Sequence, residues 1–343
     1  MLLARRPARK VRIKGPTALL LAVTTGQVLV LGHLGWSSNY WYDDLLYLEQ
    51  VKRGDISLHH MTLPMFGHMA PGHNFVYWAL QHFAPGRYHV ALLVELIISA
   101  AITLVLARVL RLLTHRRMLS AVLASLFAMS ATQVSAFAWL AAAADCIFAT
   151  LFTLLAAERF LVWRVNRRPL ALFSCLALWA VGLSFYEETA FLPVWLAAVF
   201  AFVLPDRWSW DEARRELMAV WQAWVGFAVV GLAWIVLYAA GPYGDLAPRP
   251  SPGQAAGFLW TAWFKNFWIT AVGAPALWGL PQGGLVVQLV GEAVFVLLVA
   301  VTVARRHSAW RAWIFFIASF VLHVGVIAYG RAAWGAVLGK QSF

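Results

Sequence analysis

Charge is scarce in this sequence. Only 12% of its 343 residues are Asp, Glu, Lys or Arg, about half the share usual in a soluble domain. Cysteine is nearly absent: Cys146 and Cys175 both lie in apolar runs, which excludes a disulfide framework or zinc-ligand spacing and marks them as packing residues. Internal repeats and low-complexity tracts are lacking as well. Acids are few, 15 against 27 Lys and Arg, for a net charge of +12. Such an excess can signal nucleic-acid binding, but here the basic residues collect in short loops between apolar runs. Orientation in a membrane and attraction to anionic lipid account for that placement. Apolar residues are plentiful, at 62% with a mean hydropathy of +0.71. They recur in runs of about 20 residues, the length that crosses a bilayer's hydrocarbon core. The fold class is therefore an all-α polytopic membrane protein, because helices satisfy their own backbone hydrogen bonds in lipid.

Nine such runs are legible: 17–36, 88–110, 119–137, 141–163, 170–185, 189–204, 221–240, 284–304 and 310–329. The basic stretch "RRPARKVRIKGP" before the first, with no A-x-A cleavage site after it, reads as an uncleaved signal anchor and a cytoplasmic tail over 1–16. All but seven of the 27 lysines and arginines fall inside if the N-terminus is inside and nine spans follow. The seven are Lys52, Arg53, Arg87, Arg249, Lys265, Arg331 and Lys340. The segment "PDRWSWDEARRELMA" then lies on the inner face as a short amphipathic helix. Residues 241–283 form an outer loop that opens with turn formers and continues into an aromatic stretch carrying Lys265 and broken by Pro275. It reads as an interfacial or re-entrant helix, with a tenth full span as the alternative. The whole chain reads as a single transmembrane domain. It stops at "YGRAAWGAVLGKQSF", directly after the ninth run, as a fragment or truncated gene product would.

Residues 37–87 make up the longest non-apolar stretch, expected outside, and long ordered loops tend to carry function. It opens on "NYWYDDLLYLEQ", with Asp43 and Asp44 side by side. Acids there complement the dipole of the helix they start; alternatively, one carboxylate is a general base and the other holds a partner. Six of the 10 histidines fall between His59 and His89. The run "HHMTLPMFGHMAPGH" suits imidazole metal ligands but matches no defined spacing, so hydrogen bonding to backbone or substrate is the plainer reading. Met61, Met65 and Met69 read as packing residues. Glu187 and Glu188 end the fifth run, Glu95 and Asp145 lie near outer ends, and Glu292 lies well inside the eighth. Charges at such depth face a cavity or a partner, although Glu187 and Glu188 also suit a plain hairpin boundary. Lys265, Arg331 and Lys340 supply positive charge on the same side, to pair with carboxylates or to hold a phosphate. The 19 tryptophans read as belt residues at span ends.

Taken together, "YDDLLYL", "HMAPGHNFVYWAL", "SFYEETAFLPVWL" and "YGRAAWG" give the chain a pattern that resembles the GT-C superfamily of membrane glycosyltransferases. The nearest groups are the bacterial protein mannosyltransferase-like and aminoarabinose transferase-like branches. The resemblance implies a GT-C-like bundle in a bacterial plasma membrane. It implies inverting transfer of a sugar from a polyprenyl-phosphate donor to a glycan, lipid or protein acceptor on the outer face. Asp43, or else Asp44, would act as base on the acceptor hydroxyl. Glu187 or Glu188 would bind substrate, Arg331 or Lys265 would hold the donor phosphate, and His73 is a further candidate for sugar or phosphate. No cofactor is implied beyond a divalent metal that the resemblance leaves open. The chain departs from many relatives in carrying two acids where they pair a glutamate with a lysine. A transporter, with buried charges spread over several spans, and a non-catalytic GT-C-like protein are the rival readings.

Overall fold

The computed structural model describes residues 15–40, 42–52, 57, 61–63, 68–130, 140–205, 208–241, 250–267, 281–305 and 309–338. Thirteen α-helices, and no strand, occur among them. In chain order they are α1 (Gly15–Trp36), α2 (Tyr42–Lys52), α3 (Pro71–Phe83), α4 (Tyr88–Thr114), α5 (Arg117–Ala128), α6 (Leu140–Asn166) and α7 (Pro169–Leu183). Then follow α8 (Leu192–Ala198), α9 (Trp210–Met218), α10 (Trp221–Ala240), α11 (Pro252–Thr261), α12 (Pro281–Arg305) and α13 (Ala309–Leu338).

Five described helices are long and apolar enough to cross a membrane: α1, α4, α6, α10 and residues 309–328 of α13. α5 and α7 are apolar but shorter. At 1.5 Å per residue the 15-residue α7 spans about 22 Å, less than a hydrocarbon core of about 30 Å. The third expected span is described as helix only over α5, and residues 131–139 lie outside the described part.

The sixth expected span differs from its reading as one α-helix. It consists of a 3₁₀ turn (Glu187–Phe191), α8, and a π turn (Val199–Val203). Pro193 explains the break, because its ring displaces the carbonyl four residues back and offers it no N–H. That carbonyl belongs to Thr189, and the Trp179 indole N–H donates to it at 2.8 Å.

α6 is the central helix, packed against α4 and α7. Its buried Ala143, Ala144, Ala149, Ala156 and Ala157 let both neighbours approach closely. Beneath them Phe160, Trp179, Phe200 and Phe227 form a buried aromatic cluster. Close approach recurs where α10 crosses α7: a Cβ on Gly226 would lie 2.5 Å from Leu176 Cδ1. α1 lies along α4 and α5, and α11 and α12 pack on α13.

The two ends of the bundle differ in charge. At one end Arg108 and Arg159 hold the buried Glu158, at 2.5 and 3.3 Å. Arg164 pairs with Glu216 of α9 and stacks 4.0 Å above Phe200. α9 is the expected short amphipathic helix, begun by Ser209, whose hydroxyl accepts from the Glu212 N–H. The opposite, acidic end gathers α2, α3, the starts of α4 and α6, and the end of α7.

Candidate functional site

α3 begins with Pro71, a residue suited to the first helical turn. Its neighbour Gly72 lies against the end of α7, donating its N–H to Ser184 O at 2.7 Å. A Cβ there would fall 2.6 Å from Ser184 Oγ and 2.9 Å from the Phe185 ring. Gly72→Ala is accordingly expected to cost about 1–3 kcal/mol through overpacking. A thermal melt unchanged by the substitution would rule out that close approach.

Just before α3, Glu187 is bound from two sides. His68 Nδ1 is 2.9 Å from its Oε2, and the Met69 N–H donates to its Oε1 at 3.0 Å. Glu188 turns elsewhere: the Tyr186 hydroxyl donates to Oε1 at 3.0 Å, and His323 Nε2 of α13 lies 2.5 Å from Oε2. The two adjacent glutamates thus join the end of α7 to different elements, one to the first long loop and the other to the last helix.

One side of α3 carries His73 and Tyr77, four residues apart and so on the same face. They meet α2 and α6. Asp44 is fully buried, and its Oδ1 accepts from the Tyr77 hydroxyl at 2.6 Å and from the Ala141 N–H at 2.9 Å. Ala141 lies in the first turn of α6, where backbone N–H groups have no intrahelical acceptor. Asp44 therefore complements the positive end of a helix 97 residues later, although it begins α2. Burial, and then the Asp44 charge beside it, pushes the Tyr77 phenol well above its usual range. Tyr47 is raised too, chiefly by burial and then by Asp145, Asp43 and Asp44. Tyr40, between α1 and α2, is raised to about 12 by burial and then by Asp44.

His73 is 0% exposed. Its ring meets Tyr47 and Tyr77 edge-on, with centroids 5.0 and 4.8 Å away. Nδ1 lies 3.2 Å from Asp145 Oδ1, yet off the line of a hydrogen bond. Burial dominates over that carboxylate and lowers the imidazole to about 3, so His73 is neutral. Asn74 anchors the loop behind, its amide donating to the Met61 and Leu63 carbonyls at 2.9 and 3.2 Å.

Asp43 differs from Asp44 in being partly exposed, on the first turn of α2. It is the more accessible of the two acids. Lys265 lies in the π turn Ala262–Phe267 after α11, and Arg331 lies on α13 eight residues beyond His323, about 12 Å further along its axis. The side chains of Lys265 and Arg331, and all of His59, His60, Met65, Arg249, Pro275 and Lys340, fall outside the described part.

Among the described residues no three His, Cys, Asp or Glu are grouped to hold a metal ion. Tyr47, Tyr77 and His323 are partners of the acidic end that the sequence did not single out. Tyr77 has one signal in retrospect, its spacing of four from His73.

Five long apolar helices, with no strand among the described residues, define a multi-pass membrane protein. No family model matches the chain, and neither a curated protein nor a solved structure matches it.

Proposed function

We propose that this is a membrane glycosyltransferase of GT-C type, with nine spans and its N-terminus inside, in a bacterial plasma membrane. It transfers a sugar from a polyprenyl-phosphate donor to an acceptor at the outer face. One observation carries the reading. The segments around Asp44, His68–Tyr77 and Glu187 interlock at the acidic end, and the accessible Asp43 lies beside them.

In this reading the Asp43 carboxylate takes the proton from the acceptor hydroxyl. The hydroxyl oxygen then bonds to the anomeric carbon from the face opposite the phosphate. The bond from that carbon to the phosphate oxygen breaks, and polyprenyl phosphate leaves with the electron pair. Arg331 or Lys265 stabilises the charge that develops on the leaving oxygen. Asp44 acts by positioning, because its Oδ1 is already committed to Tyr77 and α6. Glu187 and Glu188 shape the sugar subsite, and His73 supports it from behind as an enclosed, neutral imidazole packed on Tyr47 and Tyr77. The acceptor class, whether glycan, lipid or protein, is an outcome of the assay.

The test uses the full chain in lipid nanodiscs with a labelled polyprenyl-phosphate sugar. Asp43→Asn is expected to lower transfer about a hundredfold, the scale of a general base, without loss of donor binding. Transfer at the parent rate by this variant would remove Asp43 from the role.

A transporter is the second reading, favoured by one observation: Glu95 of α4 and Glu158 of α6 are both fully buried carboxylates in spanning helices. Uptake of solute by proteoliposomes without sugar transfer would select it.

A further inference from the structure

A second set of polar groups runs inward from the acidic end, between α1 and α4. On α4, Glu95, Ser99 and Thr103 recur every four residues and share a face. On α1, Thr24 and Gln27 are buried opposite them. Two contacts fix the register: Thr103 Oγ1 donates to Gln27 Oε1 at 2.9 Å, and a Cβ on Gly32 would meet Leu96 Cδ1 at 3.5 Å. From the mouth inward the order is Tyr40 and Tyr88, then Glu95, Ser99, the Gln27–Thr103 pair, and Thr24.

Most of this row lacks partners. Glu95 is 1% exposed, and neither of its oxygens makes a hydrogen bond among the described residues. The same holds for Tyr40 Oη, Ser99 Oγ, Gln27 Nε2 and Thr24 Oγ1, all enclosed. Glu95 sits seven residues into α4, about 10 Å along its axis. Most enclosed polar groups in folded proteins find a partner in protein or ordered water.

Among the described residues no cation pairs with Glu95. α1 contains only His33 as a titratable group. α5 carries only Arg117, at its first residue, which faces the basic end. On α6 the nearer groups are Asp145 and the far ones Glu158, Arg159 and Arg164. On α4 itself His89 and Tyr88 lie at the start, with Arg108 and Arg111 more than three turns away. The charged group close enough to act on the same Tyr40 is Asp44, another acid. Two carboxylates in one enclosed region do not both ionise. Asp44 has a phenol, a backbone N–H and a helix terminus to hold its charge; Glu95 has none of these.

We propose that Glu95 is a proton-binding site, a carboxyl held protonated inside the membrane at neutral pH, exchanging its proton with the acidic end through a hydrated polar seam between α1 and α4. The assignment stands apart from sugar transfer, since a chain inactive with every donor would still carry the proton.

Infrared spectroscopy of the full chain in nanodiscs at pH 7 tests it. The parent is expected to show a protonated-carboxyl C=O band that Glu95→Gln lacks and that shifts in D₂O. Equal bands in the two proteins, or loss of an ionised-carboxylate band instead, would overturn the protonation. A band present but unmoved in D₂O would overturn the hydrated exchange. The unsubstituted chain provides a second measurement. Dicyclohexylcarbodiimide, which enters lipid and attacks protonated carboxyls, is expected to label Glu95 and spare Glu158, paired with Arg108 and Arg159. Labelling of neither residue, or of both equally, would contradict the assignment.

Discussion

Asp44→Ala is expected to destabilise the acidic end by about 3 kcal/mol, because it leaves two buried donors, the Tyr77 hydroxyl and the Ala141 N–H, without an acceptor at about 1–3 kcal/mol each. Loss of a negative charge at the start of α6 adds a smaller contribution of the same sign. Asp44→Asn has a different outcome. Its amide oxygen can accept from both donors, so most of the loss should be restored even though the charge is gone. Thermal melts of the two variants in the same nanodiscs separate acceptor from charge. If alanine and asparagine lower the midpoint equally, the charge is what matters and the two hydrogen bonds contribute little. If neither lowers it, Asp44 does not anchor α2 to α3 and α6. Activity adds a further distinction: Asp44→Asn should keep far more transfer than Asp43→Asn if Asp44 positions and Asp43 reacts.

Acid should loosen the same region through His73. Its folded pKa of about 3 lies well below the ordinary histidine value of about 6.5. Between those values the unfolded chain binds a proton that the folded chain refuses, so stability rises with pH across the window. The contribution is complete above about pH 6.5 and is lost on acidification, by about 1.4 kcal/mol per pH unit, or about 3 kcal/mol by pH 4.5. Melting midpoints at pH 7.5 and 4.5, for the parent and for His73→Gln, measure it. The glutamine variant should show a shallower dependence. Identical dependence in the two would remove His73 as the source. Because the ring is neutral throughout the physiological range, any contact it makes with substrate is that of a neutral imidazole.

The sequence made the helices legible wherever one long apolar run coincided with one helix. The seventh run covers 221–240, and α10 has those bounds; α6 and α13 extend somewhat beyond their runs. Hydropathy failed at residues 187–203, because apolar content reports burial in lipid and is blind to what a single proline does to the carbonyl four residues earlier. The importance of Asp44 could be read from its company, but its role could not. A carboxylate at a helix start complements its own helix by default, and nothing local reveals that Ala141 is its acceptor's partner instead. The same limit hid His323: a lone histidine in an apolar run becomes informative only once Glu188 is seen beside it. Glu95 was visible as an acid near a span end, whereas its enclosure depends on α1, whose polar Thr24 and Gln27 look unremarkable alone.

The order of synthesis adds a constraint on the acidic end. Its ties join residues 97, 118 and 119 positions apart, so they belong to the most non-local part of the fold. When α2 and α3 leave the ribosome, neither Ala141 nor Glu187 yet exists. Asp44 must therefore wait in water while α4, α5 and the start of α6 enter the membrane. His68 and Gly72 must wait longer, until α7 is complete. Asp44 is thus closed in only when a helix made 97 residues later arrives, while its neighbour Asp43 stays accessible.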